Sequence, residues 1–192
     1  MLRYLAIAFV VLIGASCGQH VKPIDLHDET IPMQARRLVA DAEDSIDIAR
    51  SKLDQAERDL QTTEEWQEDL LGREWPSGAS SAVQKVEQLA DARVELAELR
   101  VERAEENIDL AEAKYRIITA KTSIRHDLAI YDLEPLRKQV KRETADVDEV
   151  DGEIAKKRAK IAQIANQWWD AYAQFVKGGG KSRALYVSAA KK

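Results

Sequence analysis

From Pro32 onward the apolar positions fall into a seven-residue rhythm. Val39, Ile46, Leu53 and Leu60 recur every seventh residue, and Ala35, Ala42, Ala49 and Ala56 recur at the same interval, four positions ahead of them. Alternating three- and four-residue steps keep one stripe of an α-helix turned toward a partner, so the pattern predicts a coiled-coil seam of alternating small and large side chains. The rhythm stops at Gly72-Arg73-Glu74-Trp75-Pro76-Ser77-Gly78. Pro76 cannot continue a helical hydrogen-bond ladder, and glycines accept turn dihedrals. Ser81 followed by Gln84 has the form of a capping box that opens a second helix.

The second helix repeats the device. Ala90, Ala97, Ala104 and Ala111 form one ladder, and Val94, Val101, Ile108 and Tyr115 form the other. Two such ladders flanking a Pro-Gly turn predict an antiparallel helical hairpin with an alanine-lined seam. Counted outward from the Pro76–Ser77 bond, Ala56 falls opposite Ala97, Ala49 opposite Ala104 and Ala42 opposite Ala111. Leu89, Leu96, Leu110, Ile117 and Ile124 lie beside the ladder and widen the apolar face beyond what a two-helix seam uses. The covering segment is expected from Pro135 onward, where Val147, Val150, Ile154, Ile161, Ile164, Trp168 and Phe175 keep helical spacing around Lys157. Glu134, ahead of a proline, is pushed away from helical dihedrals, so the chain is expected to turn there; one long second helix kinked at Pro135 is the alternative. Gly178-Gly179-Gly180 ends the third helix. The fold class is therefore all-α, an elongated antiparallel hairpin or three-helix coiled-coil bundle, with helices at about 32–71, 81–131 and 135–177 and a basic tail over 178–192.

Composition agrees with a rod more than with a thick globule. Apolar residues make up 45% of the 192 residues, but aromatic residues only 6%, and charged residues reach 33%. The net charge of −5 is uneven: Gly18–Glu134 carries 15 basic and 27 acidic side chains, whereas Pro135–Lys192 carries 13 basic and 7 acidic. Complementarity between the two segments accounts for this more simply than a polyanionic partner.

The first residues read as an address. Met1-Leu2-Arg3-Tyr4 is a short basic start, Leu5–Ile13 is an unbroken apolar run, and Gly14-Ala15-Ser16 precedes Cys17, the single cysteine. This is the layout of a secretory signal, and the run is too short for a spanning helix, which needs about 20 residues. Ala15, Ser16 and Cys17 resemble the lipobox of bacterial lipoproteins, although Gly14 stands where that family has an aliphatic residue. The resemblance implies a signal peptide over 1–16, cleavage before Cys17, acylation of Cys17, and, with Gly18 following, a lipid anchor on the periplasmic face of the outer membrane. Ordinary cleavage after Ser16, leaving a soluble periplasmic protein, is the alternative. Residues 17–31 contain Pro23 and show no period, and are expected to be a flexible tether.

No stretch carries the spacing of a catalytic or cofactor motif, and no enzymatic role is expected. His20, His27, Asp28 and Glu29 match no compact metal-ligand set, and His126 stands alone. Asp146, Asp148, Asp151 and Gly152 resemble a calcium loop only superficially, because Val150 and Lys157 occupy ligand positions. The basic run Lys156-Lys157-Arg158-Ala159-Lys160 reads as a solvated helix face, and no nucleic-acid partner is expected. Trp168, Trp169, Tyr172 and Phe175 form a dense aromatic patch. Three of them share a core face and Trp169 points elsewhere, and the four together are a candidate partner contact with Trp169 foremost.

The chain is similar in general character to alanine-rich helical envelope lipoproteins. That likeness implies a membrane-tethered scaffolding rod acting on an envelope protein partner. Cys17, the heptads and Lys192 also resemble, in part, the peptidoglycan-linked major outer-membrane lipoproteins of enteric bacteria, which would make Lys192 a point of attachment to the cell wall. A ligand carrier or enzyme is the remaining and weakest class.

Overall fold

The computed structural model describes residues 20–181. Cys17 and Lys192 lie outside the described residues. Three helices, α1 (Met33–Leu71), α2 (Ser80–Arg125) and α3 (Leu133–Lys177), run up, down and up. α2 is the central member: α1 and α3 each pack along it and scarcely touch one another. With 39 residues, α1 sets a rod length of about 60 Å at 1.5 Å per residue. The chain turns between α2 and α3, so the continuous kinked helix does not form.

The ends of the helices differ from expectation in instructive ways. α2 begins at Ser80 with Ala79 at the N-cap and no side-chain cap hydrogen bond, so Ser81 and Gln84 do not close a capping box. Ala79 is instead buried, and its carbonyl accepts from Val83 N–H at 2.9 Å. α2 stops at Arg125, not at residue 131. The following turn is closed by Leu128 N–H donating to Ser123 O at 2.9 Å, with Asp127 at φ 52°. α3 starts two residues before Pro135, capped by the Asp132 carboxylate, which accepts from Glu134 N–H at 2.9 Å. Pro135 then occupies the first turn, where its missing N–H has no intrahelical partner to lose. Proline placement therefore marked the turn but not its edge.

Residues 20–31, expected as part of a tether, are packed on the base of the bundle. Ile24 and Ile31 are buried with Val39 against Tyr115 and Ile118. Lys22 N–H donates to the Tyr131 hydroxyl at 3.0 Å, and the Arg36 guanidinium donates to Leu26 O at 3.0 Å. The apolar residues in this stretch have no helical period because they pack one at a time and not as a face.

The two alanine ladders do form the α1–α2 seam. Ala42, Ala49, Ala56, Ala90, Ala97 and Ala104 are all buried. Cross-helix contacts fix the register: Gln67 Nε2 donates to Asp91 Oδ1 at 2.7 Å, and Arg50 pairs with Glu112 at 3.8 Å. These place Ala56 near the level of Ala104 and Ala49 near that of Ala111, one heptad further along α2 than a symmetric turn gives. The turn is not symmetric because the first turns of α2 run past the end of α1. There Ala79, Ala82 and Val86 pack with Leu70 and Trp168. The other apolar face of α2 meets α3, with Leu89 and Ala92 against Ile164, Leu96 against Val150 and Ile154, and Ile117 and Ala120 against Leu136.

Small side chains set the approach of α1 to α2, so enlarging them should force the helices apart. Ala49→Leu and Ala104→Leu are expected to lower stability by about 1–3 kcal/mol through overpacking. Asp54→Leu on the exposed face of α1 should stay within about 0.5 kcal/mol of the parent. Urea unfolding followed by circular dichroism checks this, and equal losses at all three positions would show that the ladders do not form a tight seam.

Candidate functional site

Two side-chain groupings stand out: the aromatic patch at the distal end and a set of carboxylates midway along the rod. The patch is assembled from all three helices and the α1–α2 turn. Trp66, Leu70, Trp75, Val83, Trp168, Tyr172 and Phe175 share one cluster, so the four tryptophans gather at this end. Trp168 is the core of the patch, 4% exposed, with Tyr172 stacked on it at 5.4 Å between ring centroids. Trp169 meets both rings edge-on, at 4.6 and 5.7 Å, and is 53% exposed. The Arg93 guanidinium lies 4.9 Å over the Trp66 ring, and burial lowers its pKa. The patch carries no nucleophile or acid–base pair. Its chemistry is that of a contact surface, with Trp169 the side chain that presents itself outward.

The glycines beyond α3 finish this end. The N–H groups of Gly178, Gly179 and Gly180 donate to Gln174 O, Val176 O and Phe175 O, each at 3.0 Å. Gly179 has φ 90°, and a Cβ at Gly180 would run into the Phe175 ring. The triglycine is thus a helix stop seated on the aromatic patch as well as a start to the tail.

The carboxylates were not evident from the sequence, because they come from two helices. Glu106 and Asp109 on α2 meet Glu143 on α3, with one oxygen from each lying within 4.8 Å of the others. Glu143 is buried and accepts from the Arg142 guanidinium at 2.5 Å. Burial, and then neighbouring carboxylates, raise the pKa of Glu106 and Asp109. Glu105 nearby is raised by the same causes, with Glu57 of α1 the foremost charged neighbour. Three oxygens at this spacing suit a divalent cation in principle, but Arg142 already neutralises Glu143, so the cluster reads as local charge repulsion. Asp146 lies beside it and adds to the repulsion on Glu106, whereas Asp151 pairs with Arg103 at 2.5 Å across the α2–α3 contact. His20, His27 and His126 join no metal-ligand grouping among the described residues. Lys157 pairs with Glu95 across α2 and α3, which explains how a lysine sits within the apolar stripe.

A carboxyl group whose pKa is raised on folding contributes stability that is complete below its ordinary value and is lost as pH rises through the raised one. Glu106→Gln and Asp109→Asn should therefore stabilise the rod near neutral pH. The gain should be roughly a few tenths of a kcal/mol each, because solvent screens groups at the surface. It should vanish as pH falls below the ordinary values of 4.5 and 3.8. Thermal unfolding across that range checks the sign, and a gain that grows on acidification would contradict it.

The chain matches no protein-family model, and comparison with curated proteins and with solved structures finds no match either.

Proposed function

We propose that this chain is a lipid-anchored, periplasm-facing scaffolding protein of the bacterial outer membrane that acts through its helical rod. The observation that carries the reading is where the chain enters the fold. Residues 20–31 are fixed to the base of the bundle, so an acyl group on Cys17 would hold the rod by that end. Large apolar side chains face solvent at the base, as some do elsewhere on the rod: Met33 is 67% exposed, Leu128 46% and Ile130 95%. Such residues suit the edge of a bilayer, where apolar side chains add to the hold of an acyl chain. No helix among the described residues is long and apolar enough to cross a membrane, so the anchor would rest on the first residues.

A second reading, attachment of Lys192 to peptidoglycan, is favoured by the opposite end. α3 finishes at the distal tip, and the chain departs there beyond Gly180. An attachment through residues that follow Lys181 would then be made at the end of the rod opposite the base. The aromatic patch, with Trp169 foremost, would then face a protein partner or the cell wall.

The anchor is tested first. Cells fed a radioactive fatty acid should label the chain, and Cys17→Ser should abolish the label and move the chain from the membrane fraction to the soluble periplasm. An unlabelled parent chain, or a Cys17→Ser chain that stays with the membrane after high-salt washing, would overturn the lipoprotein reading.

A further inference from the structure

Because α1 and α3 pack along α2 and scarcely touch each other, a long groove lies open over α2, bounded by α1 along its length and by α3 chiefly in its far part. It consists of three joined cavities of about 510, 320 and 560 Å³. Ile118 lines both the first and the second, and Lys52 and Asn107 line both the second and the third, so the three are one channel. On α2 it runs from Arg100 to His126, roughly 40 Å at 1.5 Å per residue.

Its lining combines two properties. The first is apolar: Ala155 is exposed on it, the seam residues Ala42, Ala49, Ala56 and Ala104 lie buried beneath, and larger side chains are left exposed beside them. Leu38 is 54% exposed, Ile48 56% and Ile124 37%, and all three line the channel. The second is charge. Lys114, Lys121 and Arg125 line it along α2 and Lys52 along α1. Arg100, Arg103 and Arg158 follow where α3 closes the far side, and the single carboxylate among these lining residues is Asp151, held by Arg103. A cationic channel with an apolar floor is unexpected in a chain of net charge −5. The basic run around Arg158, read from the sequence as merely solvated, supplies part of it.

We propose that this groove is a docking site for an acidic amphipathic helix of a partner protein, which would lie along α2 as a fourth member of the bundle. Ala155 leaves room for a helix to approach, Leu38, Ile48 and Ile124 meet its apolar stripe, and the cationic rim selects carboxylates flanking that stripe. The complementary helix belongs to another protein, because outside the groove the exposed large apolar residues stand at the ends of the rod, Met33, Leu128 and Ile130 at the base and Leu71, Trp169 and Val176 at the tip, and form no stripe with which a second copy could fill it. The proposal deepens the scaffold reading by naming the class of partner. Its test does not depend on the lipid anchor.

The probe is a synthetic 25-residue amphipathic helix with leucine at the heptad core positions and glutamate flanking them, compared with the same peptide carrying lysine in place of glutamate. The full chain bearing Cys17→Ser, which has no acylation site, is titrated with each by fluorescence anisotropy. The glutamate peptide should bind at least about tenfold more tightly than the lysine peptide. Lys52→Glu with Lys114→Glu should weaken it by a similar factor. Ala155→Trp, which leaves every charge in place and fills the exposed floor, should also abolish binding, and circular dichroism should show each variant as helical as the parent. Equal binding of both peptides, or binding that survives Ala155→Trp, would overturn the groove in favour of diffuse electrostatic attraction. A chain that sediments as a dimer without peptide, and as a monomer after Lys52→Glu with Lys114→Glu, would overturn the partner helix in favour of a second copy. Failure of the peptide with the fatty-acid label intact counts against the groove alone.

Discussion

Everything in this rod depends on α2 having more apolar surface than one neighbour can cover. A helix buries about a third of its circumference against a single partner, and α2 presents both an alanine ladder and a parallel row of Leu89, Leu96 and Ile117. The first seats α1 and the second seats α3. Neither outer helix needs the other, since each spends its apolar stripe on α2. The result is an array with a shared middle, and the unused arc of α2 between its neighbours becomes the cationic groove. Architecture and candidate surface thus have one cause.

Charge plays a secondary part in holding the array together. The pairs Arg103–Asp151, Lys157–Glu95 and Arg50–Glu112 link neighbouring helices, but they sit near the surface, where such pairs contribute little net stability. Their value is in register. A heptad slip would keep the alanine ladders in contact with one another while breaking these links and the Gln67–Asp91 hydrogen bond. The repeat that makes the seam is the same repeat that makes it ambiguous, and polar contacts at unequal spacing remove the ambiguity.

That ambiguity also explains what the amino-acid sequence disclosed and what it did not. The helices, their order and the alanine seam were legible because each rests on a period within one segment. The α1–α2 register was not, because a periodic ladder fits itself equally well one heptad along, and the choice is made by Trp75, Ala79 and Trp168 beyond its end. Ser81 and Gln84 satisfied a capping pattern that burial of Ala79 displaced. Ile24 and Ile31 gave no warning of their docking, since isolated apolar residues have no phase. The gathering of Trp66, Trp75, Trp168 and Tyr172 follows from the turn before Pro135, which brings the end of α3 back to the end of α1. The carboxylate trio and the groove were invisible for a common reason: each is made by residues from different helices whose meeting depends on register.

That the described residues form three helices, an odd number, has a mechanical consequence. The chain enters at the base, through residues packed by Ile24 and Ile31, and leaves at the tip beyond Gly180. A pull between two attachments at these ends would act along the helix axes. It would load the α1–α2 and α2–α3 contacts in shear over their whole length, so that many side chains resist at once. An even-numbered hairpin held at both termini would instead be peeled open from one end, layer by layer. The same side-chain packing therefore gives a stiffer link in this topology than it would in a two-helix one, and the tightly docked leader at the base keeps the load from first unravelling α1.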